Sequence, residues 1–317
     1  MNLRFSIIAV SLFIFGCSQS SKTSQKTVDP QETDGVYIKV LGIAQDGGMP
    51  HINNPKEFEA VSQGKLIQER VVSLGLIDTD AQKKYLFEAT PDLPEQLYFL
   101  HQEIASNTIV DGVFLTHAHI GHYTGLMHFG REAMGSKAIP VYAMPRMKTF
   151  LETNGPWSQL VDLENINIRP MQADSIITLS RKLKITPFLV PHRDEFSETV
   201  GYRIEGPEKI ALLIPDIDKW FKWERSIVAE VKNVDYAFID ATFFSEGEIP
   251  RPMSEVPHPF IDETTALFKN ETSAVKSKVI FIHFNHSNPA LNEQHPKRLA
   301  LEKEGYRFAR QGEMYGL

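Results

Sequence analysis

The most informative scarcity in this sequence is that of cysteine, since its 317 residues include only Cys17. One cysteine cannot form an internal disulfide, and it excludes a cysteine-rich zinc module. Blocks of basic residues are also missing, because 33 Lys and Arg stand against 40 Asp and Glu, a formal net charge of −7. Without a basic footprint, we expect no binding of duplex nucleic acid. The chain is 42% hydrophobic and 23% charged, as globular proteins are.

An apolar run near the N-terminus is too short to cross a bilayer as a helix. It covers residues 5–15, follows Arg4 and ends at Gly16 and Cys17. A basic start, a short apolar run and a small residue before Cys resemble a bacterial lipoprotein signal. We therefore expect residues 1–16 to be a lipoprotein signal peptide, with Cys17 carrying a lipid anchor in the cell envelope, facing the periplasm. An ordinary signal peptide is the alternative. Residues 17–34 are polar and predict a flexible tether.

The remaining residues, 35–317, are expected to form the folded domain. Hydrophobic patterning predicts strands over 36–43, 71–77, 84–88, 112–116, 141–143, 184–190, 200–204, 210–214, 236–239 and 279–283. It predicts helices over 92–104, 123–134, 145–152, 219–231, 262–271 and 292–304. Strands interleaved with helices, without an interior linker, indicate one layered α/β domain.

Three histidines follow the apolar strand predicted over 112–116. They are His117, His119 and His122, in the stretch LTHAHIGHYTGL. Side chains alternate along an extended chain, so His117 and His119 point the same way. His122 stands at a predicted helix start and can turn back toward the same cavity. Imidazole is a ligand for Zn²⁺ and Fe²⁺, and this spacing therefore predicts a metal site.

This stretch resembles the His-x-His-x-Asp-His signature of the metallo-β-lactamase superfamily, including the Thr-Gly-Leu that follows. The resemblance implies an α/β fold, the four-layer αββα sandwich of that family. It also implies further metal ligands at His192, Asp216 and His283, each at the end of a predicted strand. The sequence departs from the signature at Gly121, where the family has the Asp that ligates the second metal.

Glycine offers no ligand, so residue 121 puts the second metal in doubt. We expect one metal, held tightly by His117, His119 and His192, and a weaker second site around His122, Asp216 and His283. The alternative is that Asp46 or His51, which flank the Gly47-Gly48 turn, replaces the missing ligand. Zn²⁺ is the expected ion, one or two per chain, with Fe or Mn as alternatives.

Two subgroups of the superfamily are similar to this chain. Residues 41–50, 88–93 and 281–314 resemble the pyrroloquinoline quinone biosynthesis protein B family, without the cysteine cluster of that family. A weaker resemblance to ribonuclease Z-type phosphodiesterases rests on residues 240–243, 258 and 283–284. It implies that His258 donates a proton to the leaving group and that Asp240 orients it. A loop histidine without a role is the alternative for His258, and the role of His286 stays open.

Together these features predict a metal-dependent hydrolase for a small-molecule substrate with an ester- or phosphodiester-type bond. A divalent metal in such a site lowers the pKa of bound water, so that hydroxide forms at neutral pH. One alternative is an iron-dependent oxidase or hydroxylase related to quinone cofactor biosynthesis. Another is a degenerate metal-binding protein without catalytic activity, because of Gly121. The sequence does not name the substrate.

The lipid anchor is tested at the N-terminus of the native protein. We expect mass spectrometry to find a mature chain that starts at a lipid-modified Cys17. Cys17→Ser should move the protein from the membrane fraction to the soluble fraction, because the thiol that carries the lipid is gone. An unmodified native N-terminus downstream of residue 17 would contradict this prediction.

Overall fold

A computed structural model describes residues 35–104, 106–250 and 252–317, so the predicted signal peptide, Cys17 and the tether lie outside the described residues. The strands are β1 (Val36–Gly42), β2 (Ser73–Asp78), β3 (Lys83–Phe87), β4 (Gly112–Phe114), β5 (Ile139–Ala143), β6 (Ile166–Pro170), β7 (Ile177–Thr178), β8 (Lys184–Leu189), β9 (Val200–Glu205), β10 (Ile210–Ile214), β11 (Tyr236–Asp240), β12 (Val279–Ile282), β13 (Arg307–Phe308) and β14 (Met314–Gly316).

The strands form two seven-stranded sheets of similar design. The first has the order β14-β1-β2-β3-β4-β5-β6 and the second β13-β12-β11-β10-β9-β8-β7. In the first sheet the pairs from β14 to β3 are antiparallel and those from β3 to β6 are parallel. In the second, the pairs from β7 to β10 are antiparallel and those from β10 to β13 are parallel. Each sheet is therefore half antiparallel and half parallel.

The two sheets pack face to face through buried aromatic side chains. The ring of Tyr202 in β9 meets Phe87 of β3 edge-on at 5.1 Å between centroids, and its hydroxyl donates to the Leu115 carbonyl. Phe238 of β11 meets Tyr315 of β14 at 5.0 Å. Such edge-to-face pairs add to the apolar burial that holds the sheets together. The result is a continuous core with side chains from both sheets.

Helices lie outside the sheets. They are α1 (Pro55–Ser62), α2 (Leu93–Glu103), α3 (Ile120–Tyr123), α4 (Pro145–Thr153), α5 (Trp157–Asp162), α6 (Ile227–Lys232), α7 (Ile261–Leu267), α8 (Ser273–Lys276) and α9 (Pro296–Glu304). In α2, Leu100 fills the space above Gly75 of β2, where a Cβ would lie 2.7 Å from its Cδ1. The predicted α/β fold, the metallo-β-lactamase-type αββα sandwich, is confirmed. Over the described ranges, every helix is too short or too polar to span a membrane.

The helix predicted over 123–134 is wrong. The α-helical turn α3 ends at Tyr123, and Thr124–Phe129 is a 3₁₀ helix. The cause is close packing at Gly125, whose N–H donates to the Ala89 carbonyl at 2.8 Å. A Cβ on Gly125 would lie 2.0 Å from the Thr90 carbonyl oxygen. Contact with this neighbouring loop sets the backbone in place of the regular helical pattern.

The helix predicted over 219–231 is interrupted. It consists of a 3₁₀ turn, Trp220–Lys222, and the separate helix α6. The Trp220 indole N–H donates to the Thr264 hydroxyl at 2.8 Å and fixes the turn, while the Ser226 side chain caps α6. Four strands that the sequence analysis did not predict, β6, β7, β13 and β14, complete the sheets toward their edges.

The α2 packing predicts a specific loss of stability. Leu100 is 0% exposed, so Leu100→Ala should lower the free energy of unfolding by about 2–5 kcal/mol through lost burial and the cavity left behind. Tyr98 in the same helix is 59% exposed, and Tyr98→Ala should have little effect. Urea denaturation of both variants measures the difference. Equal stability of the two would show that α2 does not anchor the sheet.

Candidate metal centre

The candidate site lies at the carboxyl ends of the central strands. Asp216 follows β10, Asp240 ends β11 and His283 follows β12, and these strands are adjacent and parallel. The carboxyl ends of neighbouring parallel strands meet at one edge of a sheet, which brings these side chains together. His117 and His119 follow β4 of the other sheet, and His192 follows β8. The two sheets thus contribute opposite halves of the site.

The first cluster consists of His117, His119, His192 and Asp216. His119 Nδ1 lies 2.8 Å from His117 Nε2 and 3.2 Å from His192 Nε2. Asp216 Oδ2 lies 3.3 Å from His117 Nε2 and 3.2 Å from His192 Nε2. All four ligand atoms are within 4.8 Å of one another. Three imidazole nitrogens and one carboxylate oxygen form a ligand set suited to zinc.

The second cluster consists of His122, His283 and Asp46. Asp46 Oδ1 lies 3.2 Å from His122 Nε2 and 3.9 Å from His283 Nε2. Asp216 Oδ2 lies 3.7 Å from His122 Nε2, so this carboxylate stands between the two clusters. All six metal ligands expected from the sequence therefore converge, and Asp46 joins them.

His51 and His286 lie outside these clusters. Their rings stack on each other at 4.2 Å between centroids, and His286 Nδ1 lies 2.8 Å from Glu57 Oε1. The Glu57 carboxylate also accepts the backbone N–H of His51 at 2.7 Å. Of the two candidates for the ligand missing at 121, the structure brings Asp46 and not His51 to the site.

Buried atoms without partners test whether these residues fit a metal. Buried polar atoms in proteins are normally hydrogen-bonded. Among the described residues, three ligand atoms of the second cluster are buried and lack a hydrogen bond: Asp46 Oδ1, His122 Nε2 and His283 Nε2. Their convergence is what a cation would satisfy, and the residues present therefore fit a metal ion.

The protonation states of two ligands in the first cluster agree with this assignment. Burial and the adjacent His122 hold the pKa of His117 well below its ordinary value, so its ring is neutral. Burial alone would raise the pKa of Asp216, but His192 and His258 beside it hold that pKa well below its ordinary value. Metals bind neutral imidazole and ionised carboxylate, which are the forms that these directions favour for His117 and Asp216. In the second cluster burial lowers the pKa of His122, but Glu88 and Asp46 outweigh it and raise that pKa well above its ordinary value, so a metal there would have to displace a proton.

Four histidine ligands are also oriented by a polar group at the ring nitrogen that faces away from the clusters. These contacts are Thr116 Oγ1 with His117 Nδ1 at 2.8 Å, Glu195 Oε2 with His119 Nε2 at 3.0 Å, Thr242 Oγ1 with His283 Nδ1 at 2.9 Å, and Glu88 Oε2 with His122 Nδ1 at 3.5 Å. Such partners fix ring orientation and raise metal affinity. The sequence analysis missed them as orienting groups.

His258 lies beside the clusters and is held by two carboxylates. Its Nδ1 lies 2.9 Å from Asp240 Oδ2 and 3.1 Å from Asp216 Oδ1. Burial opposes the charged form of this ring, but Asp216 and Asp240 outweigh it and raise the pKa of His258 to about 10. The imidazole is therefore protonated at neutral pH and able to donate a proton.

Asp240 is better described as a positioning group than as a ligand, although its spacing to Asp216, His258 and His283 would also admit a metal. Its Oδ1 accepts the backbone N–H of Thr242 at 2.9 Å and the Thr242 hydroxyl at 2.7 Å. Its Oδ2 accepts the Ile217 N–H at 3.2 Å in addition to His258. Both oxygens are thus occupied by hydrogen bonds.

Comparison with known proteins agrees with the fold. The family model described as "Beta-lactamase superfamily domain" matches residues 83–284. Coenzyme PQQ synthesis protein B of Gluconobacter oxydans is 25% identical over 309 residues, 89% of this chain and 99% of that protein. The structure of Zn²⁺-bound PqqB from Methylobacterium extorquens has a TM-score of 0.73 at 19% identity, covering 89% of this chain and 100% of that one.

The weaker resemblance to ribonuclease Z is also confirmed at the level of the fold. Human tRNase Z, short form, matches with a TM-score of 0.53 at 12% identity and covers 88% of this chain and 98% of that one. The similarity to both subgroups therefore extends over most of the described chain.

The first cluster predicts how metal binding fails. His119→Ala removes the nitrogen that lies between His117 and His192, and we expect it to lose the tightly held metal. Metal content by plasma mass spectrometry should fall, together with the metal-induced rise in melting temperature. His128→Ala, a change in the same segment but outside the clusters, should retain both. Unchanged metal content in His119→Ala would contradict the assignment of the first cluster.

Proposed function

The chain belongs to the β-lactamase superfamily, and from this premise we propose that it is a metal-dependent hydrolase of a small molecule with an ester- or phosphodiester-type bond. The observation that carries the proposal is the buried His258, whose Nδ1 lies 2.9 Å from Asp240 Oδ2 beside two clusters of metal ligands. A binding protein would need the ligands but not the aligned acid. Zinc is the proposed metal, because the first cluster consists of three histidines and a carboxylate.

The residues divide the chemical work in a simple way. A divalent metal held by the two clusters would polarise the electrophile and activate water as the nucleophile. Within the described residues, the hydrogen bonds of His258 are made through Nδ1, which leaves Nε2 available to a substrate. The Nε2 proton can pass to the leaving-group oxygen, after which Asp240 holds the neutral ring through Nδ1–H. Asp240 thus fixes both the tautomer and the direction of the ring.

A cavity beside the first cluster supports a small substrate. Its volume is about 440 Å³, and its lining includes Arg146, Phe150, Glu195 and Phe196. Glu195 also contacts Nε2 of His119, so the cavity lies on the side of this ring that faces away from the first cluster. Sites for small molecules fall in this range of volume and combine apolar walls with a few polar groups. The Phe150 and Phe196 rings, 5.5 Å apart, would contact an apolar part of the substrate.

The leaving group tests the role of His258. His258→Ala should keep the metal and lower kcat by about 10²–10⁴-fold on a substrate with an alkyl leaving group, because the general acid is gone. A nitrophenyl ester or phosphodiester should be nearly unaffected, since nitrophenolate leaves without a proton. Steady-state kinetics on both substrates, with metal content measured in parallel, gives the comparison.

The outcomes of this experiment separate the possible roles. An equal loss on both substrates would mean that His258 binds or positions the substrate. No loss of kcat on either substrate would mean that His258 is a loop histidine without a catalytic role. A wild-type chain that binds metal but hydrolyses no ester, phosphodiester, lactone or thioester would contradict the proposed function, and native iron in place of zinc would favour an oxidase or hydroxylase.

A further inference from the structure

Asp46 enters the site from the loop after β1, far in sequence from the histidine motif. This loop lies directly against the segment that carries His283. The N–H of Gln45 donates to the Phe284 carbonyl at 2.8 Å, and the Phe284 N–H donates to the Ile43 carbonyl at 2.8 Å. These two backbone hydrogen bonds fix the position of the loop relative to β12. The Asp46 side chain is therefore held at the second cluster by the fold itself.

The contacts of Asp46 are those of a metal ligand. Its Oδ1 faces His122 Nε2 and His283 Nε2 at 3.2 and 3.9 Å. In the described part of the chain all three atoms are buried and lack a hydrogen bond. The His122 and His283 side chains are fully buried, whereas that of Asp46 is 29% exposed, which gives an ion access to the cluster. Glu88 contacts Nδ1, the other ring nitrogen of His122, and therefore does not belong to the cluster around Nε2.

The position of Asp46 leaves no room for a side chain at residue 121. A Cβ on residue 121 would lie 2.2 Å from Asp46 Oδ1 and 2.6 Å from Asp46 Cα. Both distances are much shorter than a van der Waals contact. The Asp46 Cα belongs to the backbone, so it cannot move away unless the whole loop shifts. The space that an acidic side chain at 121 would fill is therefore occupied by the Asp46 carboxylate, which reaches it from the opposite side.

We infer that Asp46 supplies the carboxylate ligand of a second metal, with His122 and His283, and that Gly121 is glycine so that Asp46 can reach this position. The acidic ligand has been transposed from the histidine motif to the loop after β1. The inference rests on the proposed function, because it completes the metal centre which that function requires. With Asp46 as a ligand, the second site that the sequence analysis expected to be weak is complete.

Zinc titration of four variants tests the transposition. Isothermal titration of the metal-free protein should show two filled sites in the wild type. Asp46→Ala and the nearly isosteric Asp46→Asn should weaken the second site by more than about tenfold, and leave the first unchanged, because one ligand is lost. Gly121→Asp alone should lower the melting temperature through the clash with Asp46.

His51→Ala is the matched control, because it changes a residue near the same turn that lies outside the clusters. It should keep both zinc sites. Second-site affinity that is unchanged in both Asp46 variants would overturn the inference while leaving the proposed function intact. A Gly121→Asp variant that keeps the wild-type melting temperature would overturn the claim that residue 121 is glycine so that Asp46 can reach this position. A wild-type chain that binds no zinc, iron or manganese would instead overturn the proposed function.

Discussion

The buried carboxylate of Asp216 is the constraint on which the site depends. It is 3% exposed, and its two oxygens contact the rings of His117, His192 and His258 within 3.3 Å. An ionised carboxylate in the interior is costly unless positive charge and hydrogen-bond donors compensate it. Here His258 lies on one side of the carboxylate, and the two clusters of metal ligands lie on the other. The remaining side chains of the site are arranged around the Asp216 carboxylate.

The sequence was sufficient to predict the ligands that a motif or a strand end places in the site. His117, His119 and His122 are recognisable from their spacing after a strand. Asp216 and His283 each follow an apolar run, and the family resemblance implied that both are ligands. The alternation of strands and helices predicts a layered α/β domain, whereas the αββα sandwich was implied by the family resemblance. Periodicity and strand ends are local signals, and a single sequence contains them.

The contacts that the sequence could not assign are made by residues distant along the chain. Asp46 was one of two candidates, and only the packing of its loop against Phe284 decides between it and His51. Glu195 reaches His119 across 76 positions, and no spacing rule links them. The same holds for the 3₁₀ turn at Trp220, which depends on a hydrogen bond to Thr264. Tertiary contacts override the helical pattern there.

Backbone strain shows that the site geometry is imposed by the fold. His283 and Glu88 both have positive φ angles, +68° and +74°, in a region that side-chain-bearing residues rarely adopt. Each follows a buried strand, and each directs its side chain toward the second cluster, His283 as a ligand and Glu88 behind His122. Such conformations persist only where the surrounding structure enforces them. The His122 carbonyl accepts the Ala89 N–H at 2.9 Å, so the strained segment and the histidine motif are coupled directly. The ligand positions are therefore set by the two buried sheets, which hold the ligand atoms facing one another.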